Sequence, residues 1–478
     1  MTPAARSILL AFIVLAGFCA RAATYRAPLL DHHGWRQADT ASIARNFSRE
    51  RFNILYPQVD QRGAGAEGYV TTGLELFAFL VAAIAALTGF HTEIGRVLSA
   101  CFFIVSCLLV ARFVRRRHGD EAGVVAAFLY AFGFPLLLFI ERAFMNEAML
   151  ICLSLGCLAT VQRHVERPSA ATATGLVLTS SLIAVIKLPY LIVWAPVFGL
   201  FLEADGARVW RRGVLWTMAI VNVAAAGLWY THAQQLGAST GLSFGLTDKL
   251  FDAGTVFSVE YPLRLLDRLL RDILSPVGLI AVAIGTWLAV GRRQWCELFG
   301  VFGFAAYVVL VGIGNYHHNY YQLALMPVAA IAAAPGTLWV AEMLSARTGA
   351  TREKALAGLL ALAAISTFVR LVSAHSWFEY TAHDVVLCEA LGKATQPDDR
   401  LLFVGDNNPQ LLFCADRRGW LLSEAESTGA RVREAWQQGA TLAIVRRTLT
   451  RADVRQVTAD WGPPVLESPA FEVYRLPP

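Results

Sequence analysis

The sequence predicts an α-helical polytopic membrane protein with a small C-terminal extracytoplasmic α/β domain. Three observations predict it. Of 478 residues, 56% are hydrophobic and only 16% charged, whereas soluble globular chains carry about a quarter charged residues. The apolar residues cluster in runs of roughly 17–25, the length a helix needs to cross a bilayer. From about residue 374 these runs stop, and short strand-like segments alternate with helical ones. Such a composition excludes a disordered chain and speaks against an ordinary cytosolic enzyme. The net charge of +5 is no nucleic-acid signal, because the basic residues sit at the ends of the apolar runs. The expected surroundings are a lipid bilayer, with no nucleic-acid partner.

Apolar windows read as helices at 7–23, 95–112, 121–140, 144–162, 170–187, 188–204, 213–231, 273–290, 296–314, 320–344 and 355–373, or about eleven crossings. The first run, SILLAFIVLAGF, lacks a small-residue cleavage site followed by a soluble domain, so it reads as an uncleaved first span. With the N-terminus cytoplasmic, the inner connections hold Arg6, Arg112, Arg115, Arg116, Arg117, Arg163, Arg167, Arg208, Arg211, Arg212, Arg292, Arg293, Arg347, Arg352 and Lys354. The short outer turns then hold only Arg142 and Lys187, a strong positive-inside bias. That orientation requires residues 72–90 to be an interfacial helix and not a span.

Three regions then face outward: loop 24–94, loop 232–272 and the tail from 374. The second half of loop 232–272, EYPLRLLDRLLRDIL, has helical spacing. The tail carries strand-like LLFVG (401–405), LAIV (442–445) and FEVYRL (471–476), which suggests a small α/β domain. The expected division is a membrane domain, 1–373, and an outer domain, 374–478. Six of the eight cysteines fall in or beside spans, where they act as small apolar residues. Cys388 and Cys414 fall in the outer tail, where an oxidising compartment permits a disulfide.

Ionisable groups in or at the mouth of a membrane bundle are costly and mark functional sites. In this orientation the unusual ones collect on the outer side. DHHGWRQADTASIARNF (31–47) offers Asp31 or Asp39 as a catalytic carboxylate, with Arg36 to hold an anionic group and Gln37 beside them. Asp39 equally suits the N-cap of a helix beginning near Thr40. In ERAFMNEAML (141–150), Glu147 opens a span, while Glu141 and Arg142 suit an interfacial pair. NYHHNYYQ (315–322) brings His317, His318 and Tyr320 to an outer turn, although adjacent histidines make a poor metal pair. In IKLPY, Lys187 can snorkel to headgroups or clamp a phosphate as a point charge. Glu75, within the interfacial helix, is an acid on an apolar face. No phosphate loop and no dinucleotide fingerprint occur, so an activated group has to arrive on a lipid carrier.

This layout resembles the GT-C membrane glycosyltransferases, in particular the bacterial protein mannosyltransferase and lipid A aminoarabinose transferase (ArnT-like) group. The likeness rests on HGWRQADTASIARNF (33–47), LELFAFLVAAIAALTGFHTEIGRVLSA (74–100), ERAFMNEAML, KLPY and HHNYYQLALMP (317–327), in that order, and covers most of residues 1–345. Two departures stand out. The group's first-loop Asp-Glu pair is replaced by Trp35-Arg36-Gln37-Ala38-Asp39, and its fourth-span acid, commonly Asp, is Glu147.

The resemblance implies inverting transfer of a sugar from a polyprenyl-phosphate (undecaprenyl-phosphate) donor to a lipid, glycan or protein acceptor, on the outer face of a bacterial inner membrane. Asp31 or Asp39 would be the general base, and Glu147 would position the acceptor or sugar or join a metal site with Asp and His ligands. Arg36, Arg142, Lys187 and His317 or His318 would hold the phosphate, and Gln37, Glu75 and Tyr320 the substrates. A divalent metal is an open question in this class. The competing expectations are a lipid or polysaccharide flippase, which calls for broken helices and internal symmetry, and an O-antigen ligase or polymerase. The latter places its key residues in a late outer loop, whereas the large loop here is early.

Overall fold

The computed structural model describes residues 2–63, 67–245, 248–380 and 382–477. The parts of the two outer loops and of the tail at 64–66, 246–247, 381 and 478 lie outside the described residues. All eleven apolar windows fall on helices. Eight of these segments are long and apolar enough to cross a bilayer. The windows 170–187 and 296–314 fall on the shorter apolar helices Ala170–Ile186 and Trp295–Leu310. Window 121–140 is broken into Asp120–Phe132 and Pro135–Ile140, with Phe134 extended between them. Pro135 accounts for the break, since a proline disfavours the helical region for the residue before it. The helix within 72–90 runs Leu76–Thr88, 13 residues. At 1.5 Å per residue it reaches only about 20 Å, short of the hydrocarbon core.

The chain forms two compact units. One comprises 1–25, 96–232 and 245–375; the other comprises 26–95, 233–244 and 376–478.

The first unit is a helical bundle around Met326–Thr348, whose residues 326–337 are all buried. Its run AAIAAAPG has almost no side-chain bulk, which lets a neighbouring backbone come close. Helix Ser275–Arg292 uses that space. A Cβ on Gly336 would lie 2.0 Å from the Ala281 carbonyl oxygen, and one on Gly285 would lie 1.8 Å from that of Ala332.

Charges inside the bundle occur in networks. Arg21, Glu141 and Tyr130 are fully buried. Arg21 Nε donates to Glu141 Oε2 at 2.9 Å, and the Tyr130 hydroxyl donates to Oε1 at 2.5 Å. Arg21 also donates to the carbonyls of Gly17 and Ala131 and lies over the Phe103 ring. Glu141 is therefore the partner of the first span and not of Arg142, which lies over Phe139 at 4.4 Å. A second network joins Arg117 to Glu203 and Glu297 at 2.8 Å each, with His118 3.3 Å from Glu297.

In the second unit, β1 (Arg400–Val404), β2 (Arg418–Leu422), β3 (Leu442–Arg446), β4 (Leu466–Glu467) and β5 (Phe471–Arg475) form one sheet in the order β2-β1-β3-β5-β4. The first three are parallel, and β5 runs antiparallel to β3 and β4. The strand-like runs of the sequence correspond to β1, β3 and β5. Sequence reasoning missed β2, which opens with Arg-Gly, and the two-residue β4. Both faces of the sheet are apolar and covered. Leu387, Leu391 and Leu412 pack on one face, Val432, Val454 and Trp461 on the other. Cys388 and Cys414, on helices of the first face, are joined by a disulfide.

The same unit includes the helix Gly34–Arg49. Arg45 pairs with Asp60 at 2.5 Å and Asp416 at 3.0 Å, and Arg49 pairs with Asp416 at 2.7 Å. The early segment is thus bound to the turn before β2.

Removing one member of a buried ion pair leaves an uncompensated charge, at a cost of about 3–5 kcal/mol. Arg21→Met is expected to cost that much in thermal unfolding of the detergent-solubilised chain. The triple variant Arg21→Met/Tyr130→Phe/Glu141→Leu, which removes the polar atoms together, should recover most of the loss.

Candidate functional site

In the second unit the helix carrying the first-loop motif starts earlier than the sequence suggests. It runs Gly34–Arg49, with His33 in the left-handed region (φ 59°) at its N-cap. Gly34 permits this entry, because a Cβ there would fall 1.9 Å from Gln410 Nε2. Asp39 is consequently not a cap near Thr40. It lies inside the helix, 6% exposed, three residues beyond Arg36 and so on the same face.

The Arg36 guanidinium reaches Glu75 Oε1 at 3.1 Å and lies 4.9 Å from the centre of the Phe244 ring. Glu75 is 2% exposed and stands one residue ahead of helix Leu76–Thr88, not within it. Its Oε1 also accepts from the Thr72 hydroxyl at 2.9 Å. Glu75 Oε2 is buried without a hydrogen-bond partner among the described residues. Burial pushes the Asp39 carboxyl up to about 7. Arg36 and a hydrogen bond from Trp35 act against that rise, while the negative charges of Asp60 and Glu75 add to it. Asp31, 4% exposed, accepts from Gln37 Nε2 at 2.6 Å, and the same nitrogen donates to the His32 carbonyl at 2.9 Å.

The first unit holds a separate polar cluster. Glu147 is the first residue of helix Glu147–Glu166 and fully buried. Lys187 ends helix Ala170–Ile186 in an extended conformation (φ −157°). Its Nζ lies 2.8 Å from Glu147 Oε1. Three tyrosines surround the same ammonium, with ring centres at 4.3 Å (Tyr321), 4.8 Å (Tyr320) and 5.6 Å (Tyr190). Lys187 therefore does not snorkel away from the bundle. The tyrosines arrive on two 3-10 segments, Leu188–Val193 and Asn319–Leu325.

His318 stacks on Tyr320 and Tyr321 at 5.2 and 6.0 Å. Burial, Lys249 and Lys187 push its imidazole down to about 4, so it is neutral at physiological pH. His317 meets Tyr316 edge-on at 5.1 Å. Glu147 Oε2, Tyr190 Oη and both polar atoms of Gln322 are buried without hydrogen-bond partners among the described residues. Buried polar atoms are nearly always paired, and a polar ligand would supply the missing partners.

The sequence-selected residues thus fall into two groups. Asp31, Arg36, Gln37, Asp39 and Glu75 share one unit; Glu147, Lys187, His317, His318 and Tyr320 share the other, where Arg142 is buried against Phe139. Asp60, Thr72, Tyr190, Tyr321 and Gln322 were missed. Tyr190, Tyr321 and Gln322 lie inside motifs already singled out, and only their burial distinguishes them. Among the described residues no three of His, Cys, Asp and Glu gather as metal ligands.

No family model matches the chain, and no curated protein matches it. Solved structures do. The crystal structure of ArnT from Cupriavidus metallidurans in the apo state superposes with a TM-score of 0.70 at 11% identity, over 98% of this chain and 97% of that one. The same protein bound to undecaprenyl phosphate gives 0.69 at 12%, over 99% and 98%. The archaeal oligosaccharyltransferase AglB from Archaeoglobus fulgidus, in complex with an inhibitory peptide and a dolichol-phosphate, gives 0.60 at 13%, over 92% and 69%. The chain is a multi-pass membrane protein with the ArnT-like GT-C fold.

Proposed function

We propose that the chain is an inverting glycosyltransferase. In this reading it moves a sugar from a polyprenyl-phosphate donor to an acceptor hydroxyl on the outer face of a bacterial inner membrane. The observation that carries the reading is Asp39, a buried carboxyl that titrates near neutrality beside the Arg36–Glu75 pair. A general base works best with a pKa near the working pH. The fold supports the reaction class, since its solved examples include one with undecaprenyl phosphate bound and one with a dolichol-phosphate. The disulfide supports an extracytoplasmic second unit, in line with the arginine bias of the opposite loops.

Asp39 takes the proton of the acceptor hydroxyl as its oxygen attacks the anomeric carbon. The bond from that carbon to the phosphate oxygen breaks with inversion, and polyprenyl phosphate leaves with the electron pair. Arg36, held by Glu75, keeps the Asp39 carboxylate oriented. Asp31 is committed to Gln37 and acts by shaping the loop. In the first unit, taken by itself, the Lys187 ammonium is a cation suited to a phosphate, and Glu147 Oε2 is a buried acceptor suited to a ligand hydroxyl.

Asp39→Asn is expected to lower the transfer rate by about 10²–10⁴-fold, the usual worth of a general base, in proteoliposomes with labelled polyprenyl-phosphate sugars. Asp31→Asn should cost far less. In the wild type, kcat/KM should rise about tenfold per pH unit below pH 7 and level off above it, because Asp39 must be ionised to act. Wild-type activity in Asp39→Asn would overturn the assignment.

Stability should move the other way. The folded chain raises the Asp39 pKa above its unfolded value and so binds more protons between about pH 4 and 7. Its stability therefore falls across that window. Asp39→Asn avoids the penalty and is expected to unfold at higher temperature than wild type at pH 8, with the difference shrinking towards pH 4.

A further inference from the structure

In the first unit, helix Trp194–Asp205 ends at Gly206 (φ 56°), and the 3-10 segment Gly206–Arg211 follows. The whole stretch Leu188–Arg211 is one apolar span of 24 residues, so Lys187 stands before one end and Arg208 and Arg211 at the other. A cavity of about 340 Å³ opens between this stretch and helices Gly213–Thr240 and Trp295–Leu310. Its volume falls in the range of pockets that seat ligands, ~300–1,000 Å³. Its walls are aromatic: Trp194, Phe198, Trp210, Trp216 and Phe299.

The cavity is a built feature. Phe198 packs against Trp210 at 5.1 Å and Phe299 at 5.6 Å. Trp216 Nε1 donates to the Trp210 carbonyl at 2.9 Å. Arg212 is bidentate to Asp205 at 2.6 and 2.8 Å, which pins the 3-10 segment between them.

Two features say what covers it. Trp210 and Trp216 are 62% and 53% exposed, and tryptophans at the end of a span lie at headgroup depth. Arg208 and Arg211 are exposed on the same turn and have no ion-pair partner among the described residues. Arg212, their neighbour, is neutralised by Asp205. An apolar slot thus opens next to a turn that carries two exposed arginines outside any ion pair among the described residues.

We propose that this slot binds an anionic glycerophospholipid of the leaflet on the Arg208/Arg211 side. One acyl chain fills the aromatic cavity and the phosphodiester pairs with the two arginines. A zwitterionic lipid has the same chain and phosphate but brings its own cation, so the arginines select against it. The site takes no part in sugar transfer and stands whether or not that reading holds.

The test is native mass spectrometry of the purified chain offered equal phosphatidylglycerol and phosphatidylcholine. Each basic residue near an anionic lipid surface contributes about 1 kcal/mol, so the wild type should retain phosphatidylglycerol with a preference on the order of tenfold or more. Arg208→Gln/Arg211→Gln, both at exposed positions, should lose the preference. Ala219→Phe, which fills the cavity and leaves the arginines in place, should retain neither lipid. Equal retention of the two lipids by the wild type would overturn the proposal. So would an undiminished preference in the double glutamine variant, or a co-purifying protein in place of lipid.

Discussion

A charge withdrawn from water must be paired or be neutralised by a change of protonation, and the buried groups described above follow that rule. In the bundle, Arg21 is answered by Glu141, Arg117 by Glu203 and Glu297, and Lys187 by Glu147. Each pair lies beside a place where a helix begins, ends or breaks. Glu141 follows the broken window at Pro135, Glu147 opens a helix, and Lys187 closes one. The electrostatic requirement therefore holds in place the irregular backbone on which the functional side chains sit.

Asp39 obeys the same rule by the other route. It is buried too, yet the nearby cation is already engaged by Glu75, and Asp60 adds a like charge. The cheaper outcome is a carboxyl that holds its proton until about neutral pH, and that property suits it to accept a proton from an acceptor. A group placed for chemistry is here a group placed at some expense to stability, a common trade at active sites. Lys187 is the complementary case. Its charge is kept by Glu147, while Tyr190 Oη, Glu147 Oε2 and the Gln322 amide are buried without hydrogen-bond partners among the described residues. That combination of a fixed cation and unmet donors is what an anionic or hydroxyl-bearing ligand completes.

Much of this was legible in the chain itself, for physical reasons. Bilayer-length apolar runs have few alternatives, so the predicted windows fall on helices, one of them broken ahead of Pro135. The motifs around Asp39, Glu147, Lys187 and His318 stood out because charge beside lipid is costly. Pairings over long distance were not legible. Glu141 looked like a partner for adjacent Arg142, and nothing local reveals Arg21, 120 residues away. Asp39 looked like a cap because aspartate so often is one. Only the close approach of Gln410 to Gly34, again set by a distant segment, moves the helix start back to Gly34. Strand β2 was hidden for a similar reason, since its Arg-Gly opening gains meaning only through its register with β1.

The central claim is that the chain cleaves the bond between a sugar and a polyprenyl phosphate. The most direct measurement follows a donor labelled on both sugar and lipid, given to the purified protein in proteoliposomes with acceptor. The account predicts that free polyprenyl phosphate appears in step with glycosylated acceptor, one for one, and that the product has the opposite anomeric configuration to the donor. Donor that crosses the bilayer with its two labels still joined would contradict the account and make the protein a transporter.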